Sequence, residues 1–346
     1  GQGAEFRLDP SLRFLDAFNC EQLVFRNLNV DYLTQPTAPG TIMAIHPAEC
    51  TVDVQMDWPD YAAKLGGPTE EDGEQAFFGM ILMDALYGMT KVKHFYVFGA
   101  EDLGNGVVRI QSDPGHINGL AEKLTLGKTR IGLPVPGVAH RHGPGALIRI
   151  NHCRNVAGER VEIWSAPWFA FQIFRSSGKV IMKEVHVRPR PGSGKVLSAC
   201  RDAFHAKGNR AEMVFDGCIL TGLGDDAFNL ATHTSRVRRL LSPTEIEVGQ
   251  HFPIQFIPMR TGDTLVVMDP KNNEIVGESR IESIGETAAG PDSASFATHY
   301  MGRAPKLRLK LRTPIRGMEK GMVVWDRETS NPKSTVRNCT IRRSCR

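Results

Sequence analysis

The chain has 346 residues, 41% of them hydrophobic, with 34 Gly, 21 Pro and a net charge of +4. That charge is too small and too dispersed to argue for nucleic acid, and no run of 18 apolar residues exists to span a membrane. The composition supports a large core interrupted by many turns, as in a β-rich protein. Residue 1 is Gly rather than Met and no signal peptide is visible, so the compartment is not legible at the terminus.

In chain order, one frame recurs: a polar turn, a cysteine, then short alternating β segments. It appears in AFNCEQLVFRNLNVDY from Ala17, RINHCRNVAGERVEIWSAP from Arg149, VFDGCILTGLGDD from Val214 and TVRNCTIRRSC from Thr335. FRSSGKVIMKEVHVRPRPG from Phe174 repeats it without cysteine. Cys153 to Gly178 is 25 residues and Asp202 to Asp225 is 23, the length of one coil of a parallel β-helix. Period-two alternation then turns Val156, Val161, Ile163, Val180, Met182, Val185 and Val187 inward, with Glu162, Lys183 and His186 outward. Seven cysteines cannot all pair and none has C-x-x-C spacing, so they are expected as reduced thiols stacked at the turns, without zinc.

The predicted class is all-β: a right-handed parallel β-helix with two β-barrel-like insertions. Coils occupy 1–32, the first insertion 33–143, the central coils 144–235 and the second insertion 236–330; coils resume at 331–346 and are expected to continue beyond the chain. Gly/Pro clusters, PTAPG at 36–40 and LPVPG at 133–137, bound the first insertion. TVDVQMDW from Thr51 and PKLRLKLR from Pro305 alternate as strands, and DGEQAFFGMILMDALYGM from Asp72 reads as one short helix.

The candidate site lies in the central coils. A 23-residue coil sets Asp202 against Asp225, with Phe204 aligned to Ala227 and Ala206 to Asn229, so that Asp202, Asp225 and Asp226 meet on one face. Clustered carboxylates divide into acid and base, which hydrolysis of a glycosidic bond requires. Aspartate is also a common turn residue or calcium ligand. His205 is either a donor to substrate or a turn histidine, and Trp168 is either a platform for a sugar ring or a core-edge side chain. Arg188 and Arg190 fall on the same face one coil earlier, to hold sugar hydroxyls or an acidic group, or else to be solvated.

VEIWSAP, VHVRPRPG, DAFHAKGNR and GDDAFNL, with NLNVDYLTQPTAPGTI upstream, together resemble glycoside hydrolase family 110, the bacterial α-1,3-galactosidases. The resemblance covers about 12–32 and 147–235. It implies an inverting exo-acting α-galactosidase on a parallel β-helix, secreted or periplasmic, without metal or cofactor and acting on a glycan; the oligomeric state is not legible, a dimer being one option. It assigns Asp202, Asp225 and Asp226 as catalytic. The same layout in polygalacturonase-like hydrolases gives Asp225 as acid and Asp202 with Asp226 as bases. His205, Arg188, Arg190, Trp168 and Asn229 are the substrate-binding candidates. After Asn229 and Leu230 the family tends to have His and Gly, whereas here Ala231 and Thr232 follow and His233 comes two places late, a departure that bears on galactose specificity more than on hydrolysis. Two other classes remain: a polysaccharide lyase with Lys207 or Arg210 as base, and a non-catalytic glycan-binding β-helix.

Overall fold

The structure is a computed structural model. It describes residues 3–65, 77–83, 91–97, 99–112, 114–115, 117, 124–135, 145–249, 259–287 and 306–344. The protein is nearly all β.

Two parallel sheets alternate along the chain and enclose one interior. The longer strands, Ala4–Leu8, Glu21–Tyr32, Arg154–Ile163, Ser177–Val187 and Glu212–Asp216, form one sheet that Thr335–Arg337 extends. The shorter strands, Leu15–Phe18, Ile148–Asn151, Phe171–Phe174, Phe204–Lys207 and Phe228–Ala231, form the other. All of these pairings are parallel. Val156, Val161, Ile163, Val180, Met182, Val185 and Val187 are buried with Phe215 of their own sheet and with Phe171 and Phe204 from across the interior.

The recurring turn has a backbone cause. Asn19, His152, Arg175, Asn338 and Gly217 all have φ between 53° and 68°, the left-handed region that Asn and Gly enter most easily. The residue after each folds back on the chain. Cys20, Cys153 and Cys339 donate their thiols to the carbonyls two residues earlier, at 3.6, 3.4 and 3.2 Å. Ser176 makes the same bond to Phe174 at 3.3 Å, so serine takes the place of cysteine where the repeat lacks one. Six cysteines are free, namely Cys20, Cys50, Cys153, Cys200, Cys218 and Cys339; Cys345 lies outside the described residues.

Residues 37–134 include seven antiparallel strands whose described pairings run in open order rather than closing. The two Gly/Pro clusters meet there: Leu133 pairs with Ala38 and Pro134 with Thr37. The helix expected from Asp72 is not formed where it is described, since Phe77–Met83 is a strand paired with Lys91–Val97 and Arg130–Pro134. A seven-residue apolar run carries no period that separates strand from helix, and partners on both edges decide it. Residues 72–76 and 84–90 lie outside the described residues. Between 234 and 326, six strands form a closed barrel, with Val237, Ile246, Val248, Leu265, Leu307 and Leu309 in its core.

Candidate active site

Register decides what the aspartates face. Ile148 pairs with Phe171, 23 positions on; Phe171 with Phe204, 33 on; and Phe204 with Phe228, 24 on. The 23-residue alignment is therefore corrected by one place. The Ala203 amide donates to the Asp226 backbone carbonyl at 3.0 Å and the Phe204 amide to the Ala227 carbonyl at 3.2 Å, so the coil sets Asp202 beside Asp226, His205 beside Asn229 and Ala206 beside Leu230. The cause is apolar: the Phe204 and Phe228 rings stack at 5.5 Å and Phe171 and Phe204 at 4.8 Å. A slip of one residue would turn those rings outward.

Asp225 still joins the group because the turn before it closes tightly. The Gly224 amide donates to Ala199 at 3.0 Å, and a Cβ on Gly224 would lie 2.6 Å from the Cys200 carbonyl carbon. Only glycine lets the GDD turn lie so close against the backbone that leads into Arg201 and Asp202. One carboxylate oxygen from each of Asp202, Asp225 and Asp226 lies within 4.8 Å of the others. Asp202 is 1% exposed and its two neighbours are half-buried.

Each carboxylate has a dedicated donor. His205 Nδ1 meets Asp202 Oδ2 at 2.6 Å, Asn229 donates to Asp226 at 3.1 Å, and Arg201 donates to Asp225 at 2.9 Å. Aromatic rings hold two of these donors in place. Phe169 stacks on His205 at 4.1 Å with 18° between planes, and the Arg201 guanidinium lies 4.8 Å above the Trp168 ring, a cation–π contact. Trp168 thus reaches the aspartates through Arg201, and Arg201 and Phe169 are the two members that sequence reasoning missed. Arg201 is adjacent to Asp202 in sequence; Phe169 carries no such signal.

Arg188 and Arg190 are placed elsewhere. The coil from Phe171 to Phe204 is longer than its neighbours, and both arginines lie at the start of the loop after Val187. Arg188 donates to Glu162 at 2.9 Å, beside His186. Arg190 donates to Glu5 at 3.0 Å, lies 3.7 Å from Asp31 and covers the Trp164 ring at 4.5 Å. Their described partners belong to earlier coils, not to the aspartates. The same loop carries Lys195, buried against Gln35 at 2.6 Å, the Trp164 carbonyl at 3.0 Å and Ser165. Burial pulls its ammonium down to about 8.

Of the lyase candidates, Arg210 is bound to Asp263 at 2.9 Å and Asp326 at 3.2 Å, where the coils meet the barrel. Asp263, Asp326 and Glu328 form a second carboxylate cluster with oxygens within 4.8 Å, and Arg210 supplies its positive charge. Burial and the Asp263 carboxylate push Asp326 up to about 8, outweighing Arg210. Lys207 ends its strand opposite Ala231. His233, offset from the position the family favours, lies edge-on to Phe174 at 6.4 Å.

No family model matches the chain. Over its whole length it is 22% identical to Alpha-1,3-galactosidase B of Bacteroides thetaiotaomicron and covers 54% of that protein. A stretch of 61 residues, 18% of this chain and 10% of the relative, is 34% identical to Alpha-1,3-galactosidase A of Bacteroides fragilis. The chain thus spans about half the length of the first of these relatives and a smaller part of the second. No described helix is long and apolar enough to cross a membrane.

Proposed function

We propose that the protein is a glycoside hydrolase that removes an α-linked terminal galactose from a glycan, with Asp202, Asp225 and Asp226 as its catalytic groups. The single observation that carries this reading is the convergence of three carboxylates from neighbouring coils, each with its own donor; the similarity to α-1,3-galactosidases narrows the sugar. The stacked parallel strands are read as a right-handed parallel β-helix, a long rigid support for such a site. A glycan substrate fits a secreted or periplasmic protein.

In this mechanism Asp202 and Asp226, side by side in adjacent coils, hold and deprotonate one water. Asp225 protonates the departing oxygen. His205 and Asn229 fix the two bases. Arg201 braces Asp225, and its positive charge stabilises the carboxylate that Asp225 becomes once the proton has passed to the leaving oxygen. Attack by water on the face opposite the leaving group inverts the anomeric centre.

A second reading has one observation in its favour. Carboxylate oxygens within 4.8 Å are closer than the roughly 6.5–9.5 Å of inverting pairs and nearer the roughly 5 Å of retaining ones, where one aspartate would attack the sugar directly. Galactose release from an α-1,3-galactosyl disaccharide, in the protein and in the Asp→Asn variants of the trio, tests the function. The configuration of the first-formed sugar separates the two mechanisms.

A further inference from the structure

The catalytic cluster stands at one end of a row of polar side chains that crosses the whole shorter sheet. The pairings Asp16↔Arg149, Arg149↔Gln172, Gln172↔His205 and His205↔Asn229 put five polar residues in one column, one per strand. Three of the five strands alternate strictly between buried and half-buried positions, and the column holds half-buried ones. The inward neighbours Ile150, Ile173 and Ala206 are fully buried. Parallel strands lie about 4.8 Å apart, so the column runs about 19 Å along the stack. At its near end His205 and Asn229 are bonded to Asp202 and Asp226. At its far end Arg149 donates to Asp16 at 2.8 Å, and both side chains are 41% exposed.

We infer that this column is the binding track for the leaving-group part of the substrate, a neutral glycan chain of more than one sugar unit running from the aspartates across Gln172 to Arg149 and Asp16. An amide, an imidazole and an arginine–carboxylate pair at a regular spacing offer alternating donors and acceptors, as a hydroxyl-rich chain requires. Phe169, stacked on His205 and half-buried, adds an aromatic face beside the first step. The inference rests on the glycosidase reading for which end of the chain is cut, but the track itself is defined by register alone.

The test is calorimetric binding of neutral oligosaccharides of one to four units, with and without terminal α-galactose, to the Asp225→Asn protein and to the same protein carrying Gln172→Ala or Gln172→Leu. Affinity is expected to rise with chain length, and each Gln172 variant to reduce the gain from the longer chains by about five- to tenfold, the worth of one or two hydrogen bonds. A thermal midpoint that matches the parent shows that the variants are folded. Length-dependent binding without galactose release from any glycan by the unmodified protein would overturn the galactosidase reading and leave the track standing. Affinity independent of length, equal length dependence in the folded Gln172 variants, or no binding of any glycan overturns the track.

Discussion

Replacing Gly224 by alanine tests how the three carboxylates are brought together. The added methyl would sit 2.6 Å from the Cys200 carbonyl carbon and 3.3 Å from the Arg201 amide nitrogen, with the Cys200 carbonyl oxygen closer still. These are backbone atoms and cannot rotate away. Restoring an ordinary separation of about 3.4 Å from that carbon requires the two turns to part by at least about 0.8 Å, and more to clear the oxygen. The Gly224 to Ala199 hydrogen bond spans the same gap and would be stretched. Overpacking of this kind costs about 2 kcal/mol. A shift approaching 1 Å between Asp225 and Asp202 lowers turnover by about a hundredfold. Urea unfolding gives the first number and galactose release the second. Gly285→Ala is the control: a Cβ there meets nothing within 4 Å, so stability and turnover should stay as they were. A Gly224→Ala protein with unchanged unfolding midpoint and unchanged rate would show that the close approach of these turns does not position the site.

Other outcomes follow from the buried groups. The unfolded chain holds the Lys195 proton to about 10.5, whereas burial releases it in the folded protein at about 8; the unfolded state therefore binds more protons between these values, and stability should rise from pH 8 to 10.5. Lys195→Met should abolish that rise, while leaving the Trp164 carbonyl and the Gln35 amide oxygen without its ammonium; an unfolding series showing the same slope in the variant would refute the cause. Asp326 has the opposite sign. Raised from 3.8 to about 8, it keeps a proton that unfolding releases, so stability should fall as pH rises through that window. Asp326→Asn should flatten the fall, and an unchanged slope would mean that another group titrates there. Alkylation in denaturant without reductant should label all six described cysteines, and mass spectrometry finding an intact bridge among them would contradict the reduced, hydrogen-bonded turns.

The recurring turn was legible because its chemistry is local. A left-handed turn favours Asn or Gly, and the thiol or hydroxyl that follows bonds to a carbonyl two residues back, so NC, HC, GC and RS mark the coil corners without knowledge of their neighbours. The inward valines were legible for the same reason, through a period of two. Register was not. Whether Asp202 faces Asp225 or Asp226 turns on one residue, and rings separated by 24 and 33 positions decide it, a long-range packing choice with no local trace. Arg188 and Arg190 were misplaced by the assumption of constant coil length, since the extra residues of one coil form the loop that carries them toward Glu162, Glu5 and Asp31. Arg201 was hidden in plain sequence: its role appears only when Trp168, one coil earlier, comes beneath it and Asp225, one coil later, accepts from it.

The central claim is that three aspartates drawn from adjacent coils hydrolyse an α-galactosyl bond. Proton NMR of an α-1,3-galactosyl disaccharide during the first minutes of reaction tests it most directly, because one spectrum reports both cleavage and anomeric configuration. The account predicts galactose appearing first as the β-anomer, with the signal lost in Asp202→Asn and Asp226→Asn and strongly reduced in Asp225→Asn. α-Galactose appearing first would replace inversion by retention. No galactose from the unmodified protein, or full activity in any of the three variants, would contradict the claim itself.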